Sequence, residues 1–217
     1  MGAFSKAAEF TYWGSPSADA MRTWHSDRIR GRFADPGTHQ FKVADAATGK
    51  IVGFAKWDPP VGFRGLGDGF LLYDEEGRSR RLRDGEADER PKKKKKLLKA
   101  PEGADEGIYE EFFGGIVSMG EKWNSSEKLV LSSICMDASY RGRGIAAALI
   151  EGVLAKADAE GVTAYLEALP LAVPLYRRLG FVEVDQLEYD LARVGMEGKA
   201  VLTIMVREPK LVATVAA

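Results

Sequence analysis

The order strand, glycine turn, helix, strand, short helix between Leu129 and Phe181 restricts this chain more than any other feature it carries. Leu129 to Met136 is a mostly apolar run of strand length, and Asp137 to Gly144 is turn-like. Ile145 to Glu160 has helical spacing, with Ala148, Leu149, Val153, Leu154 and Ala157 as its apolar stripe and Gly161 as its stop. Ala164 to Ala168 predicts a further strand, and Pro170 to Leu179 a short helix ended by Gly180.

The turn reads Tyr140-Arg141-Gly142-Arg143-Gly144-Ile145-Ala146. Two glycines let a ligand approach the backbone closely where a helix begins, and there the unpaired N–H groups and the helix dipole attract anions. Arg141 and Arg143 strengthen a phosphate reading, because guanidinium groups bind phosphate well. Gly142-x-Gly144-x-x-Ala147, with Glu167 20 residues further on, also matches a dinucleotide fingerprint. Against that alternative, only 50 residues follow Glu167, and the long segment before the loop shows no alternating strand and helix pattern. A nucleoside-triphosphate loop is excluded, since no Gly-Lys-Ser/Thr follows the glycines.

The flanks complete the layout. Ser17 to about Phe33 reads as a capped helix, Gln40 to Asp45 and Ile51 to Trp57 as an antiparallel hairpin, and Glu106 to Trp123 as a helix with Ile108, Phe112, Ile116 and Met119 on one side. Phe181 to Leu191 and Lys199 to Arg207 form a closing strand pair. Between Pro59 and Gly103 the periodicity lapses, which predicts a surface insertion. Met1 to Gly14 shows no clear strand or helix.

Composition narrows the chemistry. Cys135 is the only cysteine and His25 and His39 the only histidines, so neither an intrachain disulfide nor a Cys/His zinc cluster can form, and no metal site is expected. The net charge of −1 does not nominate nucleic acid as a partner, although Arg78 to Lys99 holds eleven basic and four acidic residues. Within it, Lys92 to Lys96 reads first as a solvated loop and second as a nuclear import signal or a patch for anions. No apolar leader or membrane-length run is visible, so a cytoplasmic location is the default and a nuclear one follows if the lysine run is an import signal.

At the loop the chain resembles the GCN5-related N-acetyltransferase (GNAT) superfamily, whose acetyl-CoA loop follows Gln/Arg-x-x-Gly-x-Gly/Ala, here Arg141-x-x-Gly144-x-Ala146. Pro174-Leu175-Tyr176-Arg177-Arg178-Leu179-Gly180-Phe181 is similar to the family's Leu-Tyr-x-x-x-Gly-Phe element, and Tyr176 lies 35 residues after Arg141. The resemblance implies an α/β (α+β) fold with a mixed, mostly antiparallel central sheet, its fourth and fifth strands splayed and helices on its flanks. It implies one domain over residues 1–217 with an insertion at about 59–103 and its best-matched core at 129–191.

It further implies that the pantetheine arm of acetyl-CoA lies in the splay on the backbone of Ile134, Cys135 and Met136. The pyrophosphate would then meet N–H groups from Arg141, Gly142, Arg143, Gly144, Ile145 and Ala146. Tyr176 is placed to protonate the departing thiolate and Glu167 to accept the proton of an amine, with Asp137 a second carboxylate near the splay. The implied reaction is acetyl transfer to a primary amine of a small molecule or peptide by direct attack. A non-catalytic acyl-CoA-binding or interaction module is the alternative, and a nicotinamide dinucleotide enzyme the third. Cys135, in an apolar strand without a basic neighbour, is a poor nucleophile. Ala138 stands where the family usually has proline, and Leu169 replaces a polar residue that would bond the cofactor.

Overall fold

β5 (Leu129–Met136) and β6 (Ala164–Ala168) are the parallel neighbours at the centre of a six-stranded sheet, joined by the crossover helix α3 (Ile145–Glu160) that a parallel pair requires. The computed structural model describes residues 17–33, 38–63, 72–73, 79–80, 99–194 and 197–210. The strand order is β1 (His39–Ala44), β2 (Ile51–Asp58), β5, β6, β8 (Lys199–Arg207), β7 (Val182–Asp190), and every other neighbouring pair is antiparallel. A separate two-stranded sheet pairs β3 (Leu72–Tyr73) with β4 (Ser79–Arg80). This is the mixed, mostly antiparallel α/β architecture that the sequence implied. The family's fourth and fifth strands correspond to β5 and β6. Most of the expected insertion, with Lys92 to Lys96, and the stretch Met1 to Gly14 lie outside the described residues.

Strand alternation divides the core into two layers. Ala164, Leu166 and Ala168 of β6 face α3 and α4 (Val173–Arg178), packing with Ile150, Val153, Leu154, Ala157, Tyr176, Phe181 and Trp57. Tyr165, between them, faces the opposite layer with Val130 and Ile204. There α1 (Ala18–Phe33) and α2 (Glu106–Lys122) pack through Met21, Trp24, Ile108, Tyr109 and Phe112 against Tyr189 and Leu202. Both faces of β6 are covered, which explains its apolar sequence. Asp105 caps α2 by accepting the Ile108 N–H at 2.9 Å. Trp24 Nε1 donates to the Lys99 carbonyl at 2.9 Å, fixing the chain where it enters this layer.

Two local expectations are corrected. The buried stripe of α3 runs through Ile150, Val153, Leu154 and Ala157, whereas Ala148 is exposed. Ile145 to Ile150 is apolar on all sides, so its pattern carries little phase information and the sheet selects the face. α4 begins at Val173, not Pro170: Pro170 to Ala172 form a turn in which the Ala172 N–H bonds the Leu169 carbonyl at 2.8 Å. Pro174 then sits in the first turn of α4, where a missing N–H costs nothing. Trp57 is fully buried in the α3/α4 layer, with partly buried Phe63 against it, so both aromatics are core.

Candidate functional site

β5 and β6 pair only at Leu129↔Ala164 and Val130↔Tyr165, then part, although β5 continues to Met136 and β6 to Ala168. The divergence opens one edge of β5. Its other edge stays on β2, where the Asp137 N–H donates to the Val52 carbonyl at 2.8 Å. Backbone direction alternates along an antiparallel pair, so Cys135 bonds back toward Phe54 while the N–H and C=O groups of Ile134 and Met136 face the gap. At the start of the gap the register slips between Lys56 and Trp57, leaving Ser132 as an extra residue on β5. Buried Lys56 braces this bulge, ion-paired with Asp58 and donating to Ser132 Oγ at 3.1 Å.

Beyond β5, the chain makes a 3-10 turn at Ala138–Tyr140 and then reaches the glycines. Gly142 (φ 75°) and Gly144 (φ 76°) both adopt the left-handed region, and a Cβ built on either would meet nothing within 4 Å. Glycine is needed here for the backbone conformation, and the space beside it is open. Gly144 is the N-cap of α3 and supplies no side-chain cap, so the first N–H groups of that helix remain available to an anion. Arg141 and Arg143 are exposed beside them. This donor set fits a pyrophosphate. A Gly144→Val substitution forces a β-branched residue to positive φ, at roughly 1–2 kcal/mol. The expected result is CoA binding weakened about tenfold, read by calorimetric titration.

The sequence-predicted side chains fall on both sides of the gap. Tyr176, on α4, is buried and packs edge-on to Phe181 with ring centroids 5.9 Å apart. Burial, with the Cys135 sulfur as a smaller influence, pushes its phenol up to about 12. Ile134 of β5 packs against the apolar cluster that holds Tyr176. Burial also raises the Cys135 thiol to about 11, so it is protonated and unreactive at neutral pH.

Glu167 is half-buried on β6 and shares the α2-facing side with Tyr165. Burial and then the Glu167 carboxylate hold the Tyr165 phenol well above its ordinary range. Asp137 is committed elsewhere. It receives Lys50 Nζ at 2.7 Å, the Ser139 N–H at 2.9 Å and Ser139 Oγ at 2.6 Å, which hold its carboxyl far below the usual range and make it a poor base. Leu169 packs into the α1/α2 layer. Sequence reasoning missed Asp45, Lys50 and Tyr140, which bond around the loop, and Lys56, Asp58 and Ser132 at the bulge; no local spacing marks any of them. Among the described residues no group of three or more His, Cys, Asp or Glu could hold a metal ion, and no helix is long and apolar enough to cross a membrane.

An open sheet with one splayed parallel pair, beside a glycine loop that opens a helix, is the arrangement that the resemblance at the loop implied. Residues 101–192 match the family model described as an acetyltransferase (GNAT) domain. The structure of a histone acetyltransferase HPA2 and related acetyltransferase from Corynebacterium glutamicum superposes with a TM-score of 0.54 at 22% identity, covering 98% of this chain and 88% of that one. The Escherichia coli ribosomal-protein-S18-alanine N-acetyltransferase gives a TM-score of 0.45 at 15% identity, with 94% and 97% covered. A phosphinothricin acetyltransferase from Sinorhizobium meliloti, solved with AcCoA, gives 0.43 at 15%, with 95% and 78% covered. No curated protein sequence matches the chain. Residues 101–192 thus match a GNAT acetyltransferase domain, a family that uses acetyl-CoA, and the chain shares the fold of the Corynebacterium glutamicum protein.

Proposed function

We propose that the protein transfers the acetyl group of acetyl-CoA to a primary amine of a small molecule or peptide, by direct attack within a ternary complex. The observation that carries this reading is an open β5 edge that leads, through one 3-10 turn, to an uncapped helix preceded by two positive-φ glycines. The 217 residues read as one domain interrupted at about 59–103.

The backbone groups of Ile134 and Met136 would bind the amide-rich pantetheine arm as an added strand. Cys135, whose backbone bonds back to β2, contributes through its place in the wall. N–H groups from Gly142 to Ala146 would hold the pyrophosphate, the Arg141 N–H being donated to the Ala138 carbonyl at 3.3 Å, and the side chains of Arg141 and Arg143 would offset its charge. Acetyl-CoA supplies an activated acetyl thioester. Tyr176, like any phenol, keeps its proton at neutral pH, burial raising it further to about 12, and would give that proton, or a hydrogen bond, to the sulfur that departs. Glu167, at the α2-facing side of the gap, would take a proton, directly or through water, from the acceptor before or as the amine attacks the thioester carbonyl.

Calorimetric titration with CoA and with NAD tests the ligand. Binding of CoA supports the reading; binding of NAD alone would sink it in favour of the dinucleotide alternative. A panel of amines and peptides with acetyl-CoA, followed by thiol release, then tests transfer. CoA binding without release across the panel would favour a non-catalytic acyl-CoA module.

A further inference from the structure

We propose that the turn of the β1–β2 hairpin is a clamp on the cofactor loop, with Asp45 and Lys50 as positioning residues for the phosphates of acetyl-CoA. This rests on the acetyl-CoA reading above. The turn runs from Asp45 to Lys50 and is internally tied: the Asp45 N–H donates to the Lys50 carbonyl at 2.9 Å, and Asp45 Oδ1 accepts the Ala47 and Thr48 N–H groups at 3.0 Å each. From this braced turn two side chains reach the loop independently. Asp45 Oδ2 accepts the Tyr140 hydroxyl at 2.8 Å, and Lys50 Nζ donates to Asp137 Oδ2 at 2.7 Å.

Asp137 and Tyr140 are the two ends of the 3-10 turn that leads into the glycines. Both ends are therefore held from the hairpin. Asp137 also caps that turn through its other oxygen, which accepts the Ser139 N–H and hydroxyl. The clamp continues toward the ligand side through Arg143. Its guanidinium carbon lies 4.7 Å over the Tyr140 ring, and its Nη2 donates to the Ser139 carbonyl at 3.1 Å. Lys50 Nζ lies 6.0 Å from the same ring.

The loop needs this support because of its own composition. Gly142 and Gly144 remove side-chain restraint where several N–H groups must converge on one anion, and loops of that kind lose more freedom on binding than rigid ones. Anchoring both ends of the preceding turn, and stacking Arg143 on Tyr140, sets the donors before the ligand arrives. The charge states suit a lasting clamp. The Tyr140 hydroxyl, with Thr48, holds the Asp45 carboxyl below its usual range, and Asp137 raises the Lys50 ammonium above its own, so all four groups keep these states at neutral pH.

A role confined to the phosphates separates from a general structural one by choice of donor. S-Acetylpantetheine carries the same thioester arm without the phosphates. In Tyr140→Phe and Lys50→Met variants the KM for acetyl-CoA should rise about threefold to tenfold, with kcat at saturation and the thermal midpoint unchanged. The KM for S-acetylpantetheine should not move. Calorimetry should show the same loss for CoA and none for pantetheine. In the Tyr140→Phe/Asp45→Ala double variant the losses should be less than additive, because each single change removes the same hydroxyl–carboxylate bond. Equal losses for both donors, or none for either, in a protein whose wild type binds CoA would overturn the clamp alone. A wild type that does not bind CoA would overturn the acetyl-CoA reading, and the clamp with it.

Discussion

An Asp158→Ala variant is expected to lose about 3–5 kcal/mol of folding stability, because it leaves a buried guanidinium without its counter-charge. Arg207, on β8, is only 2% exposed. Its Nη1 and Nη2 meet the two carboxylate oxygens of Asp158 on α3 at 2.7 and 2.8 Å, and its Nε donates to the Leu179 carbonyl at the end of α4 at 3.0 Å. One side chain thus ties the sheet to both helices of the layer that carries Tyr176. Asp158 also accepts the Lys210 N–H at 2.7 Å, so its loss frees the chain beyond β8 as well.

The measurement is a urea titration of wild type and variant, with the midpoint falling at unchanged slope. As a control, Lys199→Ala removes an exposed ion pair with Glu188 and should cost less than about 1 kcal/mol. The pH dependence has a definite sign. Arg207 holds the Asp158 carboxyl below its ordinary value of 3.8, so the contribution is full above that pH and is lost as pH falls through the lower folded value. The gap between wild type and variant should be constant near neutrality and narrow in strong acid. A loss under 1 kcal/mol at pH 7 would show that Arg207 finds other solvation.

Tyr176→Phe is expected to lower kcat about 10²- to 10⁴-fold while leaving CoA binding and the thermal midpoint in place. The aromatic ring and its edge contact with Phe181 survive the change, so the packing of α4 is kept and only the proton donor is lost. The raised phenol adds a second readout. A group that titrates near 12 stays protonated throughout the usual assay range, so the rate of the wild type should show no fall from this residue between pH 7 and 10. If Tyr176→Phe turned over an identified amine at the unaltered rate, its role as an acid would be wrong, and the hydroxyl would be no more than a buried wall of the gap.

Much of the fold was legible because its signals are local. Gly142 and Gly144 announce a tight loop at the entry to a helix, Gly161 announces the end of that helix, and the spacing of Ile108, Phe112, Ile116 and Met119 announces α2. The phase of α3 was not legible, since a helix that is apolar around most of its first two turns does not say which side the sheet will take. The charge partners were equally hidden: Tyr140 meets Asp45 across 95 positions, Lys50 meets Asp137 across 87, and Arg207 meets Asp158 across 49. Each of these residues looks like an ordinary surface polar or charged group when read in sequence.

By itself, the amino-acid sequence determined the element order from Leu129 to Phe181, the glycine loop with its two arginines, and the tyrosine that follows 35 residues after Arg141. These depend on backbone preference and on side-chain alternation within a few residues. Only the tertiary structure decided that β5 and β6 part after Val130, that Ile134 and Met136 face the resulting gap, and that the β1–β2 turn grips the loop. Those features are set by register between distant strands, where a shift of one residue turns every side chain and every backbone donor to the other side.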